Sequence, residues 1–174
     1  MLTINDFCDK FEACEDGRDW AIDNCESMQQ AWETAKPDWL IWIATRDGVL
    51  TDKELRLFAV FCARQVEHLL TDERSRQAIV VAERFANGLA SEQELAAARE
   101  AASYAASAAA TRAASYAARD AAIYAASAAA TRAASYAAMA ARDAASDAAS
   151  AAARDAAGAA QSTWLRENTK PNWS

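Results

Sequence analysis

Apolar side chains recur every three or four positions through the first 90 residues of this chain, the spacing of helices buried on one side. Thr3, with Asp6 three residues on, opens a first helix bearing Ile4, Phe7, Cys8, Phe11 and Cys14, with a stop expected at Asp16-Gly17. A short helix follows through Trp20, Ile22 and Cys25, and Ser27 with Gln30 has the spacing of a capping box. Pro37 suits a first helical position, where its missing N–H costs nothing, and this helix is expected to end near Asp47-Gly48. Thr51 with Glu54 caps a helix carrying Leu55, Phe58, Ala59, Cys62 and Val66. Thr71 is the expected cap of the next, through Ala78, Ile79, Ala82 and Phe85, stopped by Asn87-Gly88. Short connections of this kind favour antiparallel neighbours.

The pattern changes at Ser91, whose spacing to Glu94 again marks a helix start. From Ser91 to Ala160, 38 of 70 residues are alanine, the strongest helix former. One helix from Glu92 to Ser162 would measure roughly 105 Å, against about 40 Å for a compact chain of this size. A near-perfect repeat bears on the choice, because residues 101–120 and 121–140 differ only at the third and the last two positions of the unit. On a straight helix its tyrosines, Tyr104, Tyr116, Tyr124 and Tyr136, project at roughly 320°, 80°, 160° and 280°, so no stripe forms for a two-stranded coiled coil. Twenty helical residues span about 30 Å, the height of a small bundle, which favours a tract that folds back, with Arg119-Asp120 and Arg142-Asp143 as the bends. The expectation is an all-α protein: a helical bundle head over residues 1–90, long alanine-rich helices over 91–163 folded back as antiparallel hairpins, and a C-terminal tail over 164–174.

Charge narrows the function classes. The 25 acidic and 18 basic residues give a net charge of -7, and the first 38 residues carry all of it, with ten acids against three bases. Such a field is poorly suited to a phosphate backbone, so no nucleic-acid partner is expected and a basic protein partner is. Arginine and aspartate interrupt the alanine tract throughout, so no membrane span is read. The start MLTINDFCDK lacks the basic and apolar regions of an export signal, which points to the cytoplasm. The four cysteines form no CxxC pair and read as reduced core residues.

Candidate catalytic chemistry is thin. His68, the only histidine, has no orienting acid on its helix face. No DxDxDG calcium loop and no glycine-rich phosphate loop occur, so neither a metal nor a cofactor is expected, and the protein is read as non-enzymatic. Thr111 and Thr131, twenty residues apart, cannot form the row of threonines that ice binding requires. What stands out is a dense group of tryptophans, Trp20, Trp32, Trp39 and Trp42, with the carboxylates Asp16, Asp19, Asp23 and Asp38 among them. Tryptophan anchors both cores and interfaces. These eight residues are the candidate protein-binding face.

The order Cys14, Trp20, Ala31-Trp32, Asp38-Trp39-Leu40 with Trp42, Leu55 through Phe61-Cys62-Ala63 to Val66, Arg76-Gln77-Ala78-Ile79 with Ala82-Glu83-Arg84-Phe85 and Gly88, then Ser91-Glu92-Gln93-Glu94-Leu95 entering alanine, resembles a bacterial family. It is similar to the predicted immunity proteins of polymorphic toxin systems, fifth-numbered class, over roughly residues 8 to 100, and departs at Phe85, where that pattern has tryptophan. The resemblance implies a mostly helical protein that binds and neutralises a cognate toxin without catalysis. The alternative is a structural scaffold whose tail mediates self-association into a homo-oligomer.

Overall fold

The computed structural model describes residues 2–108, 136–141, 143 and 151–174. Among these the chain is all-α, with no strand. The elements are α1 (Ile4–Lys10), α2 (Glu15–Asn24), α3 (Met28–Thr34), α4 (Pro37–Ala44), α5 (Asp52–Gln65), a 3₁₀ turn at Glu67–Leu69, α6 (Glu73–Ala86), α7 (Glu92–Ala108) and α8 (Ala151–Asn168). Residues 136–141 are also helical.

Local chemistry explains most boundaries. Thr3 with Asp6 and Thr51 with Glu54 form complete capping boxes, and Ser91 with Glu94 makes the same reciprocal bonds. Pro37 occupies the first turn of α4, and Gly88 adopts φ 73° just beyond α6. Four expectations differ. Ser27 caps α3 through its hydroxyl, but the Gln30 side chain accepts from the Glu26 N–H at 2.7 Å, so the capping box there is incomplete. The break after the first helix falls at Glu12, with φ 52°, while Gly17 lies inside α2. The helix from Pro37 ends at Ala44, ahead of Asp47-Gly48. Asp72 caps α6 in place of Thr71, its carboxylate accepting from the Arg74 N–H at 2.9 Å.

The core is built by Phe7, Leu40, Leu55, Phe58, Ile79 and Leu165, all essentially inaccessible. α7 packs chiefly on α6, α6 on α5, and α8 on α4 and α5. Leu165 belongs to α8, so the last stretch is part of the head. Trp164 stacks on Phe61 at 5.5 Å and meets Phe58 at 5.7 Å, and Trp173 closes over Phe7 and Trp32 at 6.1 and 6.0 Å. Residues 164–174, separated from the head in the sequence reading, are thus packed into it.

Ala137, Ala138, Ala140 and Ala141 are buried, and the Gln161 amide donates to the Ala138 carbonyl at 3.1 Å. A single straight helix would hold positions 138 and 161 about 34 Å apart. The alanine tract is therefore not one straight rod. Most of the repeat, including Tyr116, Tyr124, Thr111, Thr131 and the expected bends at Arg119-Asp120 and at Arg142, lies outside the described residues, as does the side chain of Tyr104.

Glu54 links the caps to the closing segment. Its carboxylate accepts from the Thr51 hydroxyl at 2.7 Å, the Thr51 N–H at 2.8 Å and the Lys170 N–H at 3.0 Å. Burial raises its pKa, but these bonds outweigh burial and the net shift is downward. Asp6, Glu73 and Glu94 are lowered as well, chiefly by hydrogen bonds from Thr3, Gln77 and Ser91, and Asp72 is held at about 2 by the Arg74 side chain. A carboxylate more acidic in the folded than in the unfolded chain contributes stability that is present above its unfolded pKa, about 4.3 for glutamate, and lost as pH falls through the folded value. Thermal unfolding followed by circular dichroism should therefore give a flat melting temperature from pH 8 to 5 and a decline below about pH 4. Glu54→Gln should lower the plateau and flatten part of that acid limb; an unchanged limb would remove Glu54 from the account.

Candidate functional site

α2 begins at an extended Cys14 and runs ten residues, placing Asp16, Asp19 and Asp23 within about 60° of one another around its axis. All three are exposed, and Trp20 projects about 40° from Asp16. Asp9, by contrast, is paired with Arg18 across the α1–α2 junction at 2.5 Å. The exposed acidic stripe thus lies beside the half-buried Trp20.

α4 supplies the facing wall. Trp39 and Trp42, three residues apart, are both half-buried, and Asp38 at the first turn is exposed. The Trp20 and Trp39 rings meet at 5.0 Å between centroids with 39° between planes. Trp42 stands edge-on to Phe7 at 6.0 Å and 80°. Together these four rings border a cavity of about 340 Å³, floored by buried side chains such as Met28, Ala31 and Ile43. Glu12, Cys14 and Asp38 also line it.

The structure therefore brings together Trp20, Asp38, Trp39 and Trp42 around one cavity, with Asp16, Asp19 and Asp23 on the neighbouring helix face. Trp32 does not join them. It is 2% exposed and packs against Trp173, so it is a core residue and leaves the candidate face. Its position on α3 turns its ring inward, which the residue type alone does not reveal.

Sequence reasoning missed Phe7, Cys8, Glu12, Cys14 and Gly17 as parts of this site. A φ of 52° at Glu12 has no sequence signal, since glutamate rarely adopts it. Gly17 carried a signal that pointed elsewhere: it reads as a stop, but in α2 it leaves room at the wall. A Cβ there would meet Cys14 Sγ at 3.2 Å and Trp39 Nε1 at 3.6 Å.

Two cations rest over the tryptophan rings. Lys36 Nζ lies 3.8 Å from the Trp39 centroid, and the Arg46 guanidinium carbon lies 4.8 Å from that of Trp42. Arg46 also donates to the Trp42 carbonyl at 3.0 Å, and burial lowers its pKa. Neither is among the lining residues. Burial likewise raises the Cys8 thiol, whereas Cys14 is exposed.

His68 sits in the 3₁₀ turn, past the end of α5, beside a second cavity whose described lining is otherwise Gln65, Val66, Leu69 and tail alanines. No acid or nucleophile accompanies it there among the described residues. Among those same residues no group of three metal-ligating side chains occurs, and no helix is long and apolar enough to cross a membrane. Compared with protein-family models, curated proteins and solved structures, the chain finds no match.

Proposed function

We propose that this protein is a non-catalytic binding protein of the immunity type, which neutralises a basic toxin domain in the cytoplasm by covering its surface. The observation that carries the reading is the union of an exposed carboxylate stripe, Asp16, Asp19 and Asp23, with the half-exposed rings of Trp20, Trp39 and Trp42. Charge of one sign steers a basic partner into encounter, and tryptophans near the centre of an interface supply most of the affinity once water is expelled. The resemblance of the head to predicted immunity proteins points the same way.

The test is co-expression and binding with basic toxin domains, carried forward with any against which the protein protects. Converting Asp16, Asp19 and Asp23 together to Asn should slow association about tenfold at low salt, leave dissociation nearly unchanged, and lose its effect at high salt. Trp39→Ala should speed dissociation. Full protection by both variants, each with a wild-type melting temperature, would refute this face.

A second reading has its own observation. Tyr136 and Met139, three apart on the tail helix, are 41% and 54% exposed opposite the buried alanines. A self-associating scaffold would use such a face, and light scattering across a concentration series would then show growth in mass.

A further inference from the structure

We propose that the cavity between α1, α2 and α4 is a binding site for an organic cation with apolar shoulders, an alkylated ammonium or a guanidinium. Four aromatic rings, those of Phe7, Trp20, Trp39 and Trp42, border a space of about 340 Å³. That falls within the range of small-ligand pockets, about 300 to 1,000 Å³. Aromatic faces carry partial negative charge and attract cations most strongly where water is excluded. The charged side chains among the lining residues are the carboxylates of Glu12 and Asp38, and no basic side chain lines the cavity.

Two features shape the cavity wall. Glu12 takes the left-handed position that closes α1, φ 52°, where the Ala13 N–H donates to the Cys8 carbonyl at 3.0 Å, and this places a carboxylate-bearing residue at the wall. Gly17 stands inside a helix, where glycine is unfavourable relative to alanine, at the point where a side chain would press between Cys14 and Trp39. Two of these rings already hold a cation of the chain itself, Lys36 3.8 Å from the Trp39 centroid and the Arg46 guanidinium carbon 4.8 Å from that of Trp42. Being positive and outside the lining, Lys36 opposes a second cation next to the Trp39 ring.

The inference stands apart from the toxin-binding reading and is tested without any toxin. Choline, its neutral isostere 3,3-dimethylbutan-1-ol, and Nα-acetyl-arginine amide are titrated into the full chain, with tryptophan fluorescence as the readout and maleimide labelling of the exposed Cys14 as a second. Saturable binding of a cation, at least tenfold tighter than the neutral isostere and protecting Cys14, is the expected result. Preference for choline assigns the site to a free alkylammonium, and preference for the arginine derivative assigns it to a partner's side chain. Glu12→Gln and Asp38→Asn should each weaken the cation several-fold without affecting the neutral compound, and Lys36→Gln should tighten it. Gly17→Leu should abolish binding; the Lys36 variant keeps the test decisive if that substitution unfolds the chain. Equal binding of choline and the neutral isostere, or no saturation by either cation, would overturn the proposal. Toxin protection that survives in a protein unable to bind cations would leave the immunity reading intact.

Discussion

Trp173→Ala is expected to destabilise the protein by about 3 to 5 kcal/mol, the range for removing a buried large aromatic side chain. At this chain length that corresponds to a fall in melting temperature of about 6 to 20 °C. Trp173 is 8% exposed and packs edge-on against both Phe7 and Trp32. Its indole N–H donates to Gln29 Oε1 at 3.1 Å. Its backbone carbonyl accepts from the Leu2 N–H at 2.8 Å, a bond that the substitution leaves in place. The loss therefore reads out ring packing and the indole hydrogen bond alone. Trp173→Phe should recover most of it, because the ring contacts return without the N–H. A loss below 1 kcal/mol in denaturant unfolding would mean that the segment does not close the core.

The second large effect belongs to Arg166. Its guanidinium reaches from α8 to the end of α3, donating from Nε to the Trp32 carbonyl at 3.1 Å and from Nη2 to that of Ala35 at 2.7 Å. These are carbonyls at a helix C-terminus, where the backbone dipole presents partial negative charge. Burial lowers the Arg166 pKa, yet arginine stays protonated throughout the neutral range. Arg166→Ala should cost about 2 to 4 kcal/mol, since two charge-assisted bonds go and the carbonyls are left to find other partners. Arg166→Lys should rescue little, because an ammonium lacks the planar fork that spans both oxygens. Equal stability of the lysine variant and the wild type, measured by denaturant midpoint, would show that charge alone holds this corner.

Local signals made much of the head legible. The pairs Thr3/Asp6, Thr51/Glu54 and Ser91/Glu94 each place an acceptor and a donor within one turn, so the sequence contains the whole interaction. Pro37 and Gly88 are equally self-contained. Asp72 displaced Thr71 because both are competent caps and adjacent, and pairing with Arg74 favours the aspartate. Glu12 was illegible because the left-handed position that closes α1, where the Ala13 N–H donates to the Cys8 carbonyl, is usually filled by glycine or asparagine.

The candidate site divides in the same way. Trp39 and Trp42 share a face by spacing alone, and Asp16, Asp19 and Asp23 share another. That α2 and α4 bring Trp20, Trp39 and Trp42 to one cavity depends on contacts between helices that periodicity does not encode. The difference between Trp32 and Trp39 is of this kind too: each sits on a short helix next to a carboxylate, Glu33 or Asp38, but only the first faces Trp173. The placement of α8 was hidden for a further reason. Alanine is small on every side, so no stripe marks which surface of the tract meets the head, and larger side chains such as Gln161, Trp164, Leu165 and Arg166 single one out.

Since Leu165 and Trp173 complete a core begun at Ile4, the order of synthesis matters to this molecule. The ribosome releases the first 90 residues before the helix that seals them exists, and about 70 further residues must be made first. At roughly 5 to 20 residues per second that interval lasts on the order of 4 to 14 s. During it Phe7, Trp32 and Phe58 have no lid, so a nascent chain stalled within the alanine tract should be a substrate for chaperones and proteases.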